Sequence, residues 1–390
     1  MYLIPQYMLF FKCSADKCIS HCCRGWKIQV EDNIIEKYKN IKDEELRNII
    51  LKNISRDPGI AGIYGNMKLT DRFECALIQN GLCYIHKNLG EEYLCNTCKT
   101  YPRHKNLVDN VKEMSATISC PEVAKLVLLN SKPMEFEAIR DFNDISITTF
   151  RIEDHEGCEY FWKLRMFTIE VLQYRKWDLN SRIKLLIMFY NKFNKDKFDI
   201  DNEIRKFKGY LCDQSIYEKI KTIGIESKVK VEMLKEIMQL NTRRILLDIK
   251  YKNLVVELIE GLELDSDDIE NSFVKFENIK DKYYNEFFKE KEYIFENYLV
   301  NYTFQNLVPL GHGKNFFENI AQMIINLSII RFIIIGIMGI KKEKFNEDDI
   351  IDIFHSFSRN FEHSNEFNKK LLKNLKKKGM LNEKWIMLLL

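Results

Sequence analysis

The chain has 390 residues, 46% hydrophobic and 30% charged, which is enough apolar material for one large core or two smaller ones and excludes a disordered chain. Sixty basic against fifty-seven acidic residues leave a formal charge of +3, too small an excess to bind nucleic acid by neutralising phosphates. The opening stretch MYLIPQYMLFFKC lacks a basic n-region and is interrupted by Pro5 and Gln6, so it does not read as a secretory signal and the expected location is cytoplasmic. In that compartment thiols stay reduced, and eleven cysteines point to metal binding or chemistry rather than disulfides.

The first feature in chain order is Lys12 to Trp26, KCSADKCISHCCRGW, a loop that carries Cys13, Cys18, Cys22 and Cys23. Beyond it Trp26, Ile28 and Val30 alternate with Lys27 and Gln29, which predicts a short half-buried strand. Asp32 should then cap a helix carrying Ile34, Ile35 and Tyr38. Asn80-Gly81, set between two apolar runs in FECALIQNGLCYIH, predicts a two-residue type I′ hairpin pairing Gln79 with Leu82 and Ile78 with Cys83. Continued, that register puts Cys75 opposite His86 and on the other face from Cys83, so either a bulge re-aims one sulfur or the two serve different neighbours. NLGEEYLCNTCKTYPR predicts a short helix from about Glu91, ended by Pro102, with Leu94, Cys98 and Tyr101 on one face and Cys95 one turn from Cys98.

From about Pro133 onward glycine and proline become scarce and apolar residues recur at helical spacing, as at Phe161, Leu164, Phe167, Val171 and Leu172. The run Ile320 to Ile340 is long and apolar enough to cross a membrane, but Arg331 near its centre, with Gln322 and Asn326, predicts a buried core helix and no membrane partner. The segment NKKLLKNLKKKGMLNEKW reads as a solvated basic helix face. The expected fold is therefore mainly α: a small irregular cysteine-rich α+β metal-binding domain, residues 1–125, packed on a larger all-α helical domain, residues 126–390.

Nine of the eleven cysteines precede residue 121, spaced C-x4-C-x3-C-C, then C-x7-C-x11-C-x2-C, then Cys120 before Pro121. Only Cys95/Cys98 has the spacing of a zinc-ligand pair, whereas iron–sulfur clusters accept irregular, loop-borne thiolates. The irregularity favours a cluster over zinc. Cys158 and Cys212, isolated in helical sequence, read as buried small hydrophobes.

The blocks CSADKCISHCCRGWKI, FECALIQNGLCYIHKNLGEEYLCNTCKTYPR and SCPEVAKLVLL resemble the flagellin lysine-N-methylase family. Its first region is similar in turn to zinc- or iron-chelating proteins with a C-C-containing cluster. The helical remainder resembles the family chiefly through ENYLVNYTFQNLVPLGHGKNF, Glu296 to Phe316. The resemblance implies transfer of methyl groups from S-adenosylmethionine to lysine ε-amines of flagellin, with an associated [4Fe-4S] cluster. It assigns Cys13, Cys18, Cys22, Cys23, Cys75, Cys83, Cys98 and Cys120 as metal ligands and does not require Cys95. Eight thiols exceed the four that one cluster uses, and adjacent Cys22 and Cys23 are expected to point in different directions. Tyr101 and Arg103, just beyond Cys98, are candidates to line a lysine channel and to bind a cosubstrate carboxylate. His312, between glycines in LGHGK, reads as structural. Neither a glycine-rich strand–turn–helix nor a C-x3-C-x2-C triplet marks the cosubstrate site. YFWKLRMF (Tyr160 to Phe167) and NYLVNYTFQNL (Asn297 to Leu307) are candidates for docking the substrate protein, against the plainer reading that their aromatics are core. The alternative function is a non-catalytic metal-chelating or redox module, zinc or iron, with a helical partner-binding domain.

Overall fold

The computed structural model describes the chain apart from residues 15–16, 19, 21, 25–26, 58, 141–149, 152–157, 195–198, 225–227, 241–247, 267 and 312–314. His21, Trp26 and His312 lie outside the described residues, as does the side chain of Cys158.

Short elements build the cysteine-rich part. Strands β1 (Tyr2–Pro5), β2 (Gln29–Glu31), β3 (Ile54–Arg56), β4 (Ile63–Met67), β5 (Ile78–Gln79) and β6 (Leu82–Cys83) alternate with helices α1 (Asp32–Lys39), α2 (Glu44–Lys52), α3 (Tyr84–Leu89) and α4 (Asn96–Thr100). β7 (Arg103–Val108) and β8 (Val111–Ala116) then form a hairpin whose two-residue turn, Asp109-Asn110, has φ of +46° and +62°. Helix α5 (Pro121–Leu128), β9 (Phe136–Ile139) and β10 (Phe150–Arg151) complete this part. Strand order in the largest sheet is β10-β7-β8-β1-β9; β1 runs parallel to β8 with Tyr2 opposite Lys112 and antiparallel to β9.

Two cores result. Ile28, Val30, Ile34, Ile35, Tyr38, Ile50, Leu77 and Ile85 pack with the thiols between Cys22 and Cys98 into a small core of their own. Tyr2, Ile4, Tyr7, Met114, Ala116, Ile118 and α5 instead share the core of the helical body. The sheet is bolted to that body by polar contacts out of water. Tyr7 donates to Asn301 Oδ1 at 2.8 Å, Asn106 to the Gln305 carbonyl at 3.0 Å, and Arg165 grips buried Glu113 with both terminal nitrogens.

Within the body, α6 (Phe161–Leu172) buries Phe161, Leu164, Phe167, Val171 and Leu172, as the periodicity predicts. The central helix, Phe316–Lys341, is buried along nearly its whole length, which accounts for its uniform hydrophobicity without a bilayer. It crosses the Ile249–Leu262 helix so closely that a Cβ on Gly261 would overlap the Gly336 carbonyl. Helices make up 62% of the chain, and the mainly α expectation holds.

Four local expectations are corrected. Asp32 begins helix α1 rather than capping it: Glu31 is the cap residue, and its carboxylate instead accepts from the Asn96 N–H at 3.2 Å, binding β2 to the start of α4. The Asn80-Gly81 hairpin has the predicted register, but its ladder ends after two pairs because α3 begins at Tyr84; Cys75 therefore never pairs with His86. The helix expected from Glu91 is broken into a 3₁₀ turn, Glu91–Tyr93, and α4, with Cys95 at the junction. Cys212 is exposed at the end of the Ile200–Leu211 helix rather than buried.

Candidate thiol centre and the seam beside it

The chain gathers six of its thiols in one place. Cys22, Cys23, Cys75, Cys83, Cys95 and Cys98 belong to one small core, in which Cys23, Cys75 and Cys95 are 5%, 5% and 1% exposed. Cys13, Cys18 and Cys120 lie outside it: Cys120, the residue before helix α5, belongs to the other core, Cys18 is half-buried and Cys13 is exposed. The six come from three separate segments. Cys22 and Cys23 sit in a bend held to the second segment by the Cys75 N–H, which donates to the Cys23 carbonyl at 2.8 Å, and by the Arg24–Glu74 ion pair. The hairpin and α3 supply Cys83; the junction before α4, clamped by Glu31 and by Tyr38, supplies Cys95, and α4 itself carries Cys98. The Tyr38 hydroxyl donates to the Tyr93 carbonyl at 2.8 Å and lies 3.7 Å from Cys95 Sγ.

Cys22 Sγ and Cys23 Sγ are 3.9 Å apart, so this adjacent pair points the same way, contrary to expectation; the chain bends there instead of extending. Cys95, absent from the ligand set that the resemblance implies, is among the most buried of the six. Environment separates the thiols chemically. Cys83 is brought down to about 6, chiefly by the hydrogen bond with Cys23 and against burial, with help from backbone N–H groups of α3. The hydrogen bond with Cys23 also lowers Cys22, assisted by the distant positive charge of Arg359. Burial pushes Cys75 up to about 11 and Cys95 and Cys120 to about 12, and holds Cys98 well above the ordinary thiol range.

Donor type and number fit an iron–sulfur cluster, since six soft thiol ligands in one apolar core exceed the four that a cluster takes. As placed, no three Cys, His, Asp or Glu side chains among the described residues stand close enough together to hold a single ion.

Beside the thiols runs a polar seam, buried at Thr117, Ser119 and Ser358 and exposed at His363. The Tyr101 hydroxyl lies 3.2 Å from Ser119 Oγ, which is 2.9 Å from His363 Nε2; the same nitrogen is 3.3 Å from Thr117 Oγ1, itself 3.4 Å from Ser358 Oγ. Ser358 and Tyr298 donate to the two oxygens of Glu362 at 2.5 and 2.6 Å. Burial raises the Glu362 carboxyl, and it raises Tyr101 above the ordinary phenol range. Ser358–Glu362 is a π turn, a geometry often found at functional sites. Its Arg359 donates to Ser20 Oγ at 3.2 Å, and the Ser20 carbonyl accepts from Cys18.

Tyr101, just beyond α4, therefore joins the segment carrying Cys95 and Cys98 to the Ser119–His363 contact. Arg103 opens β7 with its guanidinium 5.4 Å from the Phe11 ring centroid. Asn297 to Leu307 is almost wholly buried, so its aromatics are core rather than a docking surface; of Tyr160 to Phe167, Tyr160, Lys163 and Met166 are exposed. Arg359, Glu362 and His363 escaped sequence reasoning. The available signal was a polar run, HSFSRNFEHS, interrupting helical apolar spacing, in which Ser356, Ser358, Arg359 and Asn360 are all buried.

Fold and site together define a mainly α protein in which a small core containing six cysteines that form no disulfide lies apart from the large core of a helical body. Residues 165–389, more than half of the chain, match the family model described as the FliB lysine N-methylase C-terminal domain; the chain belongs to that family and is a protein-lysine N-methyltransferase. The matched region includes the central helix and the seam residues Arg359, Glu362 and His363. Relatives include the lysine-N-methylases of Salmonella choleraesuis and Salmonella typhimurium, each 22% identical over 93% of this chain and 92% of the relative. The flagellar biosynthetic protein FliU of Salmonella muenchen is 31% identical over 37% of this chain and 86% of its own length. No solved structure matches.

Proposed function

We propose that this methyltransferase uses S-adenosylmethionine to methylate lysine ε-amines of flagellin, and that its six-thiol core holds a [4Fe-4S] cluster. The observation that carries the cluster is the convergence of Cys22, Cys23, Cys75, Cys83, Cys95 and Cys98 on one buried core, with Cys22 and Cys83 poised toward thiolate. The flagellar name of the FliU relative supports a flagellar target. Bound there, a cluster supplies a cross-link among segments too short to fold on burial alone. Cys13, Cys18 and Cys120, outside that core, remain for a second centre or for packing.

The chemistry asked of the chain is modest. A lysine near pKa 10.4 must first lose a proton to water or a base. The amine lone pair then forms the N–C bond as the methyl C–S bond breaks, and the electron pair of that bond stays on sulfur, leaving a neutral thioether. Alignment, rather than a strong acid or base, limits such a transfer. Tyr101, held protonated at the seam, can orient a polar group of the acceptor.

Anaerobically purified protein should be brown, contain iron and acid-labile sulfide, and transfer labelled methyl groups to intact flagellin. A colourless, zinc-only preparation that leaves flagellin unlabelled would sink the reading.

A further inference from the structure

The central helix carries one charge between Glu318 and Lys341, and that charge is Arg331. It sits at the wall of a cavity of about 380 Å³ bounded by the middle of the central helix and by segments around Asp178, Lys230, Phe276 and Glu292. Among the described residues, none from the first 125 and no cysteine lines it. The guanidinium has a neutral partner, Asn180 Oδ1, which accepts from Nη1 at 2.6 Å, and it lies 4.8 Å from the Phe295 ring centroid. Its Nε is out of solvent and has no hydrogen-bond partner among the described residues. The two side-chain carboxylates lining the same cavity are engaged elsewhere, and Leu389 and Leu390 also line it. Glu292 accepts from Arg182, and Asp178 caps a helix through Ser181 while also accepting from Tyr217.

A half-buried cation held by an amide and a ring, without a carboxylate partner among the described residues, leaves electrostatic demand for an anion. The rest of the wall specifies what the anion is attached to. Phe276, Tyr284, Phe288, Phe295 and Phe332 line the cavity, with Tyr284–Phe288 and Phe288–Phe295 centroids 4.6 Å apart. Such a wall takes a flat ring by stacking. Lys230 and Lys289 add positive charge, while Lys280 is paired with Glu277 at 2.7 Å. The volume lies within the range of small-molecule sites.

We propose that this cavity binds a small molecule joining a flat heteroaromatic ring to a carboxylate, with Arg331 reading the carboxylate; resting on the methyl-transfer reading above, the occupant is S-adenosylmethionine. The carboxylate contact then falls to Arg331 rather than Arg103, and the thiol centre does not touch the cosubstrate.

The test uses the full chain as purified, with its metal. Titration calorimetry with S-adenosylhomocysteine and with adenosine separates the two halves of the ligand. Arg331→Gln should weaken S-adenosylhomocysteine roughly tenfold to a hundredfold, the loss expected of one charge-assisted contact, and change adenosine binding by less than about twofold. Tyr284→Leu should weaken both. Because a core variant can misfold, the unaltered chain is also photolabelled with tritiated-methyl S-adenosylmethionine, and label on peptides spanning 276–295 or 328–335 supports the site. Label confined to other peptides, or unchanged S-adenosylhomocysteine affinity in a folded Arg331→Gln protein, overturns it while leaving the methyltransferase reading intact. If the unaltered chain neither binds S-adenosylhomocysteine nor transfers a methyl group from S-adenosylmethionine, the donor reading and this inference fall together.

Discussion

The thiol-rich region and the helical body are held together by different physics. The body buries long helices around a 26-residue central one, and apolar area grows with each turn that packs. In the thiol region the helices run five to nine residues, too short to persist alone, and half a dozen of its core positions are cysteines. The contrast teaches that short elements bury little apolar area each, so their core leans on contacts between distant segments, whereas the body draws on long helices of regular pattern.

The sharpest break in that contrast comes from the thiols. Serine at Cys22, Cys23, Cys83 or Cys98 should remove most of the bound iron and expose residues 28–98 to protease, while the body keeps its thermal transition. Cys212→Ser, an exposed position, should change neither iron content nor digestion pattern. Equal iron in all five variants would remove the metal from this core.

Next in size is the bolt between the two regions. Glu113→Ala leaves Arg165 charged and buried without its partner, an expected loss of about 3–5 kcal/mol in denaturant titration. Pairing Glu113→Leu with Arg165→Met should recover much of it. A single variant as stable as the parent would show that the sheet does not depend on the body through this contact.

Within the body, Gly261→Ala should cost about 1–3 kcal/mol by forcing apart the Ile249–Leu262 and central helices, with iron content unchanged. A co-ordinate loss of iron would mean the two regions unfold as one.

The smallest effect concerns pH. Burial lowers the pKa of His355 in the Glu347–Phe357 helix, with Asp352 opposing and Arg359 and Lys250 reinforcing. The folded body keeps this ring neutral while the unfolded chain takes a proton below about pH 6.5. Its share of stability is therefore complete above that pH and is lost as pH falls. His355→Gln should flatten the acid side of the body's stability curve, measured as denaturation midpoint from pH 8 to 5; an unchanged slope would assign the acid sensitivity to other groups.

What the sequence determined by itself were features encoded within a few residues. The Asn80-Gly81 turn set the hairpin register, apolar spacing set α6, and unbroken hydrophobicity with one central arginine set a buried helix rather than a membrane span. Each is a local balance of backbone geometry and side-chain period. Tertiary structure alone decided which thiols meet, because Cys23 and Cys75 are separated by a 51-residue gap that the hairpin, β2–β4 pairing and the Glu31 clamp close. It admitted Cys95 to the centre, set Cys120 apart from it, and aligned Cys22 with Cys23 through a bend that no spacing rule contains. It also carried Arg359 and Glu362, more than 230 residues beyond the last cysteine of the thiol-rich region, to the seam beside Tyr101, and turned Arg331 from a mark of solubility into the wall of a cavity. Such placements depend on packing between distant segments, where many sequences of equal local propensity lead to different neighbours.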